Sequence, residues 1–456
     1  MASFDIDPQA LYDRKQIGKL TVPQPLPDTS PPDVLSERDR TRFFGNLNTK
    51  MTAMIATAVR VTLPYTFSQL QTRKQNYRSA LNNPARRQNF YTELEIAFDE
   101  RFRDREPNPY TTVYYTADNV LVLVYAAHQN PEPDRQYSYH NQPALTDLML
   151  WKTRNPGAVL HYHGIPRNQV LSHWRDTQHC VSALKLDPPR ADDRRHRVDI
   201  DRSLQVNYYF RHRGPTGNGP VQAEGTGTSH LVECRPQRGH PKAPMTPSKD
   251  YSRTATSHVA AAEWLRSSWK IQQQLRKMTH SFFPEYYEES AVACKAAITR
   301  NSPVVGPWIG KAIVWKLQGS SHIDDHDIIP TATYPMGVYE GGYMDLIDID
   351  TRLYYRPGDI ILGWTEFLFH RVSQWTVPAT ISLEDQRVMS RWGLTPGRVG
   401  IVNFFTDTAY EMLKDKPAHW GPITLWGRIP YPEEVGKKRK RSLDDQGSHD
   451  KSKKRL

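Results

Sequence analysis

The spacing of hydrophobic positions divides the chain into a helical N-terminal part and a longer strand-rich part. Apolar residues recur at helical spacing in NTKMTAMIATAVRV and in FSQLQTRKQNYRSAL with its continuation, which predicts two or three helices between residues 41 and 110. After Pro109 the runs TTVYYT, NVLVLVYAAH, GAVLHYHG and SLQVNYYFRHR are rich in β-branched and aromatic residues and predict strands. The stretch 214–255, with many Gly, Pro, Ser and Thr, predicts a loop.

The pattern changes again after this loop. HVAAAEWLRSSWKIQQQLRKMTHSFF carries apolar residues three and four positions apart and predicts a helix. From residue 300 the strand-like runs KAIVWKL, RLYYRPGDIILGW and RVGIVNFF alternate with turns that contain Gly and Pro. This alternation predicts antiparallel β structure in a sandwich or small barrel.

Both ends of the chain differ in composition from its body. The segment VPQPLPDTSPPDV favours extended, solvated backbone over packing, because five of its thirteen residues are proline. We therefore divide the chain into five parts. These are a disordered tail at 1–40, a helical region at 41–110, a strand- and loop-rich part at 111–254, a β core at 255–430 and a disordered basic tail at 431–456.

Positive charge is concentrated near the end of the chain. The formal net charge is +11 at pH 7, and residues 436–456 hold nine Lys or Arg against three Asp. The remaining body is mildly basic, which fits a partner that carries phosphates without requiring one. Two basic clusters in KKRKRSLDDQGSHDKSKKR predict a bipartite nuclear import signal, and hence a nuclear protein that binds an import receptor. The alternative is a non-specific tether to nucleic acid.

The cysteines and the apolar segments indicate in which cellular compartment the protein is expected. Cys180, Cys234 and Cys294 are widely separated and form no C-x-x-C pair, so we expect neither a disulfide framework nor a cysteine zinc site. The N-terminal residues lack the apolar core of a signal peptide, and the apolar stretch from Met51 to Val61 is too short to cross a bilayer. We expect no association with a membrane.

The candidate chemistry begins in the segment QGSSHIDDHDIIP. A predicted strand, KAIVWKL, runs into His322 and Asp324, and residues two apart in extended chain point to the same side. An imidazole and a carboxylate suit Fe(II), Mn or Zn, although an H-x-D pair alone is a weak signal. His370 ends a later apolar, strand-like stretch and supplies the third ligand of a facial triad. We therefore predict that His322, Asp324 and His370 bind one metal ion.

An arginine at the head of a strand follows this triad. Arg398 and Gly400 open the apolar run GRVGIVNFF. A guanidinium grips a carboxylate with two hydrogen bonds, and the glycine leaves space beside it, so Arg398 suits a buried dicarboxylate. Arg387 and Arg391, in the preceding segment ISLEDQRVMSRWGLTP, are the alternatives, although the part that follows Arg387 does not have the pattern of a strand.

Other polar residues near the triad are assigned lesser roles. His326 lies four residues after His322, but the preceding strand and Pro330 disfavour a chelating helix, so we expect His326 beside the ligands or at the surface. Asp325 and Asp327 are expected to be exposed or near the entrance of the site.

Polar residues elsewhere have simpler interpretations. Gly358 and Asp359 are most simply turn residues. A group of histidines earlier in the chain has no carboxylate at useful spacing, so we expect structural or surface roles for its members, His161, His163, His173 and His179.

The order of these motifs resembles that of a known family. H-x-D, the P-G-D turn, the distal histidine and the strand-initial arginine resemble the double-stranded β-helix core of the Fe(II)- and 2-oxoglutarate-dependent oxygenases. More narrowly, HIDDHD, VYEGGYMDLIDID, YRPGDIIL and FHRVSQW resemble the fungal branch of the TET/JBP nucleic-acid oxygenases, within residues 255–427. The resemblance implies an α+β fold with a double-stranded β-helix (jelly-roll) core, flanking helices and an N-terminal helical region.

The resemblance also assigns the site residues. His322, Asp324 and His370 match the catalytic iron ligands, and Arg398 matches the residue that binds 2-oxoglutarate. Arg398 lies further beyond His370 than the corresponding arginine of relatives, which implies an insertion at ISLEDQRVMSRWGLTP.

The implied activity is oxidation of a methyl group on a modified base in DNA, with Fe(II), 2-oxoglutarate and O2. We expect 5-methylcytosine first and N6-methyladenine second, in methylated double-stranded DNA from which the nucleotide is flipped. Segments 208–213 and 214–255 are the candidates for holding the duplex. Two rival hypotheses stay open: a protein or histone oxygenase with the same iron chemistry, and an inactive nucleic-acid-binding protein from a mobile element.

Overall fold

A computed structural model of the protein describes residues 36–81, 84–103, 105–128, 130–131, 160–161, 163–184, 211–212, 222–223, 227–236, 245–299, 302–317, 319, 321–324 and 326–423. The predicted import signal, half of the predicted strand GAVLHYHG and most of SLQVNYYFRHR lie outside the described residues, as does most of the segment 208–213 expected to contact DNA.

The described chain contains helices and strands in mixed order. The helices are α1 Glu37–Thr57, α2 Phe67–Leu81, α3 Pro84–Phe102, α4 Arg167–Ala183, α5 Lys249–Ser252, α6 Ala255–Ser267, α7 Trp269–Phe282, α8 Pro284–Ala297, α9 Leu383–Trp392, α10 Asp407–Leu413 and α11 Trp420–Ile423. The strands are β1 Val59–Thr62, β2 Thr112–Tyr115, β3 Leu121–Ala126, β4 Asn130–Pro131, β5 Leu160–His161, β6 Arg211–His212, β7 Gln222–Ala223, β8 Gly227–Val232, β9 Gly310–Trp315, β10 Thr331–Val338, β11 Glu340–Gly341, β12 Met344–Leu346, β13 Thr351–Leu353, β14 Ile360–Gly363, β15 His370–Val372, β16 Trp375–Thr376 and β17 Gly397–Phe404.

The first helix begins earlier than its hydrophobic pattern predicts. The Ser36 hydroxyl accepts the backbone N–H of Asp39 at 3.2 Å, and Glu37 and Asp39 place negative charge at the positive end of α1. Residues 36–40 therefore belong to the helix and its cap, which corrects the boundary predicted at residue 40. The helix also stops earlier than predicted, because the β-branched sequence VRVT forms β1 and pairs in parallel with β2.

The largest sheet has eight strands in the order β1-β2-β3-β14-β10-β17-β9-β8. Every neighbouring pair except β1 and β2 is antiparallel, which confirms the predicted antiparallel β structure. The loop predicted over 214–255 is wrong in part, because β8 lies within it and pairs with the edge of β9 along six residues. Burial against the sheet stabilises this strand despite its small and polar residues.

A smaller sheet of three strands has the order β13-β12-β15, and a two-stranded pair joins β11 to β16. An antiparallel bridge between His322 and His370 places the segment 321–324 beside β15. From β9 onward, the chain therefore passes repeatedly between the large sheet and the small one. This passage brings distant parts of the sequence to one place.

Helices cover more of the chain than the sequence predicts. α4 lies in the part at 111–254 to which the pattern assigns only strands and loops, and it buries Val170 and Trp174. The Trp264 indole of α6 donates to the Thr177 hydroxyl of α4 at 2.8 Å, which ties the two helices together. The single helix predicted from HVAAAEWLRSSWKIQQQLRKMTHSFF is two helices, α6 and α7, that meet at Ser268.

One hydrophobic core joins the N-terminal helices to the large sheet. Met51, Met54 and Phe67 belong to the same cluster of buried side chains as β3 and β14. Every residue of β3 is buried, as expected for a central strand that is covered on both faces. α1 and α2 are therefore packed into the same core as the β strands, whereas Phe98 and Phe102 of α3 belong to a second, smaller cluster.

The three cysteines form no disulfide with one another. Cys180, Cys234 and Cys294 are buried and free, and burial raises the pKa of each thiol to about 12. Within the described residues, no helix is both long and apolar enough to cross a bilayer.

Candidate metal centre

Backbone pairing places the two predicted histidines side by side. The N–H of His322 donates to the carbonyl of His370 at 2.9 Å, and the N–H of His370 donates back to the carbonyl of His322 at 3.0 Å. Residues opposed in this way project their side chains from the same face of the pair. The centroids of the two imidazole rings lie 4.4 Å apart.

Asp324 reaches the same point because its backbone is held by the loop before β15. Its N–H donates to the carbonyl of Thr365 at 2.9 Å. The two carboxylate oxygens then lie 3.8 Å from His322 Nε2 and 3.8 Å from His370 Nε2, respectively. The predicted convergence of residues two apart in extended chain is therefore present.

A hydrogen bond fixes the orientation of the His370 ring. Its Nδ1 lies 2.9 Å from the carbonyl oxygen of Leu368, which can only accept. Nδ1 therefore donates this hydrogen bond, and Nε2 is the ring nitrogen that faces Asp324. Histidines that bind metals commonly donate their second nitrogen in this way, which sets both tautomer and ring orientation.

The three side chains form a donor set for one ion. One ligand atom from each lies within 4.8 Å of the others, and the side chains of His322, Asp324 and His370 are 17%, 13% and 8% exposed. Two imidazoles and a carboxylate suit a divalent cation such as Fe(II), Mn(II) or Zn(II). No second group of this kind occurs in the ranges that the structure describes. The structure thus brings all three predicted residues together, and their role as iron ligands stays a prediction.

Arg398 lies on β17 and is buried, with 2% exposure. Its guanidinium carbon lies 5.0 Å from the ring centroid of Tyr355 and 5.8 Å from that of Tyr339. Its Nε has no hydrogen-bond partner among the described residues, although a buried donor ordinarily has one. A Cβ added at Gly400 would lie 3.3 Å from Arg398 Nη1, so the guanidinium itself occupies the space that the glycine leaves. A buried guanidinium with an unpartnered donor fits an anion, including the distal carboxylate of 2-oxoglutarate.

The two alternative arginines lie elsewhere. Arg387 and Arg391 are on α9, and both are exposed to solvent. The segment ISLEDQRVMSRWGLTP contains this helix between β16 and β17, in agreement with its predicted lack of strand character. Of the three candidates, Arg398 alone is buried, so it is the better candidate for a dicarboxylate.

Asp359 does more than form a turn. Gly358 has a φ of +92°, which favours glycine and agrees with the predicted turn. The buried Asp359 carboxylate, however, accepts the Tyr125 hydroxyl at 2.8 Å, the backbone N–H of Arg356 at 2.6 Å and the backbone N–H of His128 at 2.5 Å. This carboxylate therefore holds the end of β3 against the start of β14.

The residues that follow Asp324 have different environments. His326 is 64% exposed in its side chain and faces Asp407 at 3.4 Å, in agreement with the expected surface position. Asp327 is buried and accepts the Thr331 hydroxyl at 3.0 Å, so its predicted exposure is wrong. Thr365 in turn donates its hydroxyl to Thr331 at 2.8 Å, which links Asp327 to the loop that holds Asp324. Asp325 lies outside the described residues.

The earlier histidines are structural or lie at the surface, as predicted, where their side chains are described. His163 is buried, with Nδ1 2.9 Å from the Thr111 hydroxyl. His173 is buried against Trp264 and lies 3.0 Å from the Tyr334 hydroxyl through Nε2. His179 is exposed.

Acid should destabilise the fold through His173. Burial lowers the pKa of His173 from 6.5 to about 4, so protons bind more readily to the unfolded chain as the pH falls below 6.5. We expect a loss of about 2 kcal/mol in unfolding free energy from this residue between pH 7.5 and pH 5. Urea denaturation of the wild type and of His173→Gln at both pH values checks this, because the variant should lack that share of the pH dependence. An equal loss in both proteins would refute it.

The sequence did not predict the groups that orient the side chains of the candidate metal site. The carbonyls of Thr365 and Leu368 are backbone atoms, which leave no residue signature. Residues behind the histidine pair come from α3, far earlier in the chain, and no spacing rule connects the two segments.

Comparison with known proteins gives only distant similarities. No protein-family model and no curated protein matches the chain. A solved structure described as NgTET1 in complex with 5mC DNA is 12% identical to the chain, with a TM-score of 0.36, and the match covers 88% of this chain and 98% of that one. A structure of OsALKBH1 is 14% identical, with a TM-score of 0.22, and the match covers 48% of this chain and 100% of that one. At this level neither similarity defines a family, so the assignment of function depends on the residues of the site.

Proposed function

We propose that the protein is an Fe(II)- and 2-oxoglutarate-dependent dioxygenase that oxidises the methyl group of a modified base in DNA. The observation that carries the proposal is the convergence of His322, Asp324 and His370 on one point. Two histidines and one carboxylate form the facial triad of non-haem iron oxygenases, which leaves coordination positions for other ligands.

The strand order supports a double-stranded β-helix as the scaffold. β9, β10, β14 and β17 belong to the large sheet, where they are neighbours in the order β14-β10-β17-β9. The intervening segments 321–324, β12, β13 and β15 pair with one another outside that sheet. A chain that alternates between two antiparallel sheets is typical of a jelly roll. The triad residues then all lie on or beside the smaller sheet.

Each part of the chain has a defined task in this proposal. The triad would hold the iron, and the Leu368 carbonyl keeps His370 Nε2 free to bind it. Arg398 would bind the distal carboxylate of 2-oxoglutarate through its buried guanidinium, whose Nε has no partner among the described residues. Burial raises the pKa of Tyr339 and Tyr355, so both hydroxyls beside Arg398 stay protonated at neutral pH. When bound, the iron with 2-oxoglutarate and O2 supplies oxidation of a C–H bond coupled to decarboxylation to succinate.

Nucleic acid as the substrate is supported by charge and by the sequence motifs. The chain is positively charged and ends in a strongly basic segment, which suits both a nuclear location and a polyanionic partner. The motifs HIDDHD, YRPGDIIL and FHRVSQW resemble those of the TET/JBP oxygenases. A methylated base must leave the duplex to reach a buried centre, so we infer base flipping.

Mass spectrometry of nucleosides tests the proposal directly. Methylated duplex DNA incubated with the protein, Fe(II) and 2-oxoglutarate should yield oxidised methylcytosine together with succinate. Omission of 2-oxoglutarate and the variant Asp324→Ala are the controls, and both should give unmodified DNA. Oxidation of histone peptides instead of DNA would favour the protein-oxygenase alternative. The absence of succinate in every arm would favour the inactive nucleic-acid-binding protein.

A further inference from the structure

The strand pair that carries His322 and His370 has a second face, opposite the two imidazoles, which we call the outer face. His322 and His370 lie opposite each other, so the adjacent residues Ser321 and Arg371 point to the other face of the same pair. Both are buried, with 1% and 7% exposure. The groups that contact Ser321 and Arg371 therefore act on the strands that carry both imidazoles.

One carboxylate from α3 contacts both of these residues. Glu95 Oε1 accepts the Ser321 hydroxyl and lies 3.3 Å from the Ser321 backbone nitrogen. Glu95 Oε2 lies 3.5 Å from Arg371 Nη1. The Glu95 side chain is 6% exposed, so little solvent screens these contacts. Glu95 thus bridges the segment before His322 and the residue after His370.

Two other carboxylates, Asp345 and Asp99, also contact Arg371 and can be compared with Glu95. The fully buried Asp345 of β12 is paired with Arg371 at 2.9 Å and with Arg352 at 2.7 Å. Asp99, one turn after Glu95 on α3, also contacts Arg371 and Arg352, but its side chain is 54% exposed. Among these carboxylates, Glu95 is the one whose hydrogen bonds include Ser321.

We propose that Glu95 is a positioning residue of the metal centre. It holds Ser321 and Arg371 together on the outer face, and this fixes the spacing of His322 and His370 on the inner face. The inference rests on the proposed metal site and assigns the N-terminal helical region a part in building it. Groups that support metal ligands from outside commonly change metal affinity without touching the ion.

Co(II) binding to the full-length protein tests this role without the need for turnover. We expect Glu95→Ala to weaken Co(II) binding about tenfold and to shift the visible absorption of the bound Co(II), since outer partners are typically worth about 10- to 100-fold. Glu95→Gln should lose less, because its amide oxygen still accepts from Ser321 while the ion pair with Arg371 is gone. Asp99→Ala is the matched control and should bind Co(II) as the wild type does, since the Asp99 side chain is 54% exposed and Asp345 still pairs with Arg371.

A double-mutant cycle with Ser321→Ala separates positioning from a general loss of stability. If Glu95 acts through Ser321, the double variant should bind Co(II) more tightly than the sum of the two single effects predicts. Wild-type Co(II) affinity in Glu95→Ala, or equal losses in Glu95→Ala and Asp99→Ala, would overturn the inference while leaving the triad intact. If His370→Ala binds Co(II) as tightly as the wild type does, the proposed function itself is wrong, and this inference fails with it.

Discussion

Replacing His370 with alanine is expected to abolish metal binding and, with it, all substrate oxidation. The change removes one of the three donors and leaves His322 and Asp324, which bind a divalent ion weakly on their own. The loss of metal affinity should exceed the about 10- to 100-fold that follows from losing an outer partner. Titration with Co(II) and succinate formation under Fe(II) measure the two effects. Asp324→Ala should behave in the same way.

The nearby His326 provides the matched control for this prediction. It lies four residues from His322, but its side chain is 64% exposed and faces Asp407. His326→Ala should keep both metal affinity and turnover, and all variants should show the same far-UV circular dichroism. Full activity in His370→Ala, or an equal loss in His326→Ala, would refute the assignment of the triad.

Replacing Arg398 with alanine should prevent productive binding of 2-oxoglutarate while leaving the metal site in place. Truncation of one partner in a buried, hydrogen-bonded charge pair costs about 2–5 kcal/mol, so KM for 2-oxoglutarate should rise about 30-fold or more. Arg398→Lys keeps the buried charge but lacks the planar fork, and an intermediate KM is expected. Steady-state succinate formation at varied 2-oxoglutarate, with Co(II) affinity measured in parallel, distinguishes loss of the co-substrate from loss of the metal.

Arg387→Ala and Arg391→Ala are the controls for Arg398, since both residues are exposed on α9. Neither change should alter KM for 2-oxoglutarate. A large rise in KM for either one, with Arg398→Ala unaffected, would transfer the role to the helix and would contradict the proposed use of the buried arginine.

The convergence of His322, Asp324 and His370 could be predicted from the sequence because several local patterns occur in the expected order along the chain. The side chains of residues two apart in extended chain point to the same side, which made His322 and Asp324 a pair. His370 was distinctive as a histidine that ends an apolar run. Arg398 was preferred over Arg387 because it opens a strand-like run, and the structure confirms that strand as β17. Each of these signals lies within a few residues along the chain.

The elements that were missed depend on contacts between distant segments. β8 forms from small and polar residues because β9 offers an unpaired edge, and α4 forms where its apolar side packs on α6. Asp327 is buried because Thr331 satisfies its carboxylate. Glu95 reaches Ser321 across 226 positions of sequence. Periodicity within a short window carries no information about such partners.

The strand order of the large sheet limits where the chain can be truncated for expression. β14 is hydrogen-bonded to β3 on one side, and β9 is hydrogen-bonded to β8. A fragment cut at residue 255, where the motif resemblance begins, would lack both partners and expose two open strand edges, which invite intermolecular pairing and aggregation. Residues 255–427 should therefore not fold well on their own, and soluble expression should be sought with the chain kept from α1 onward.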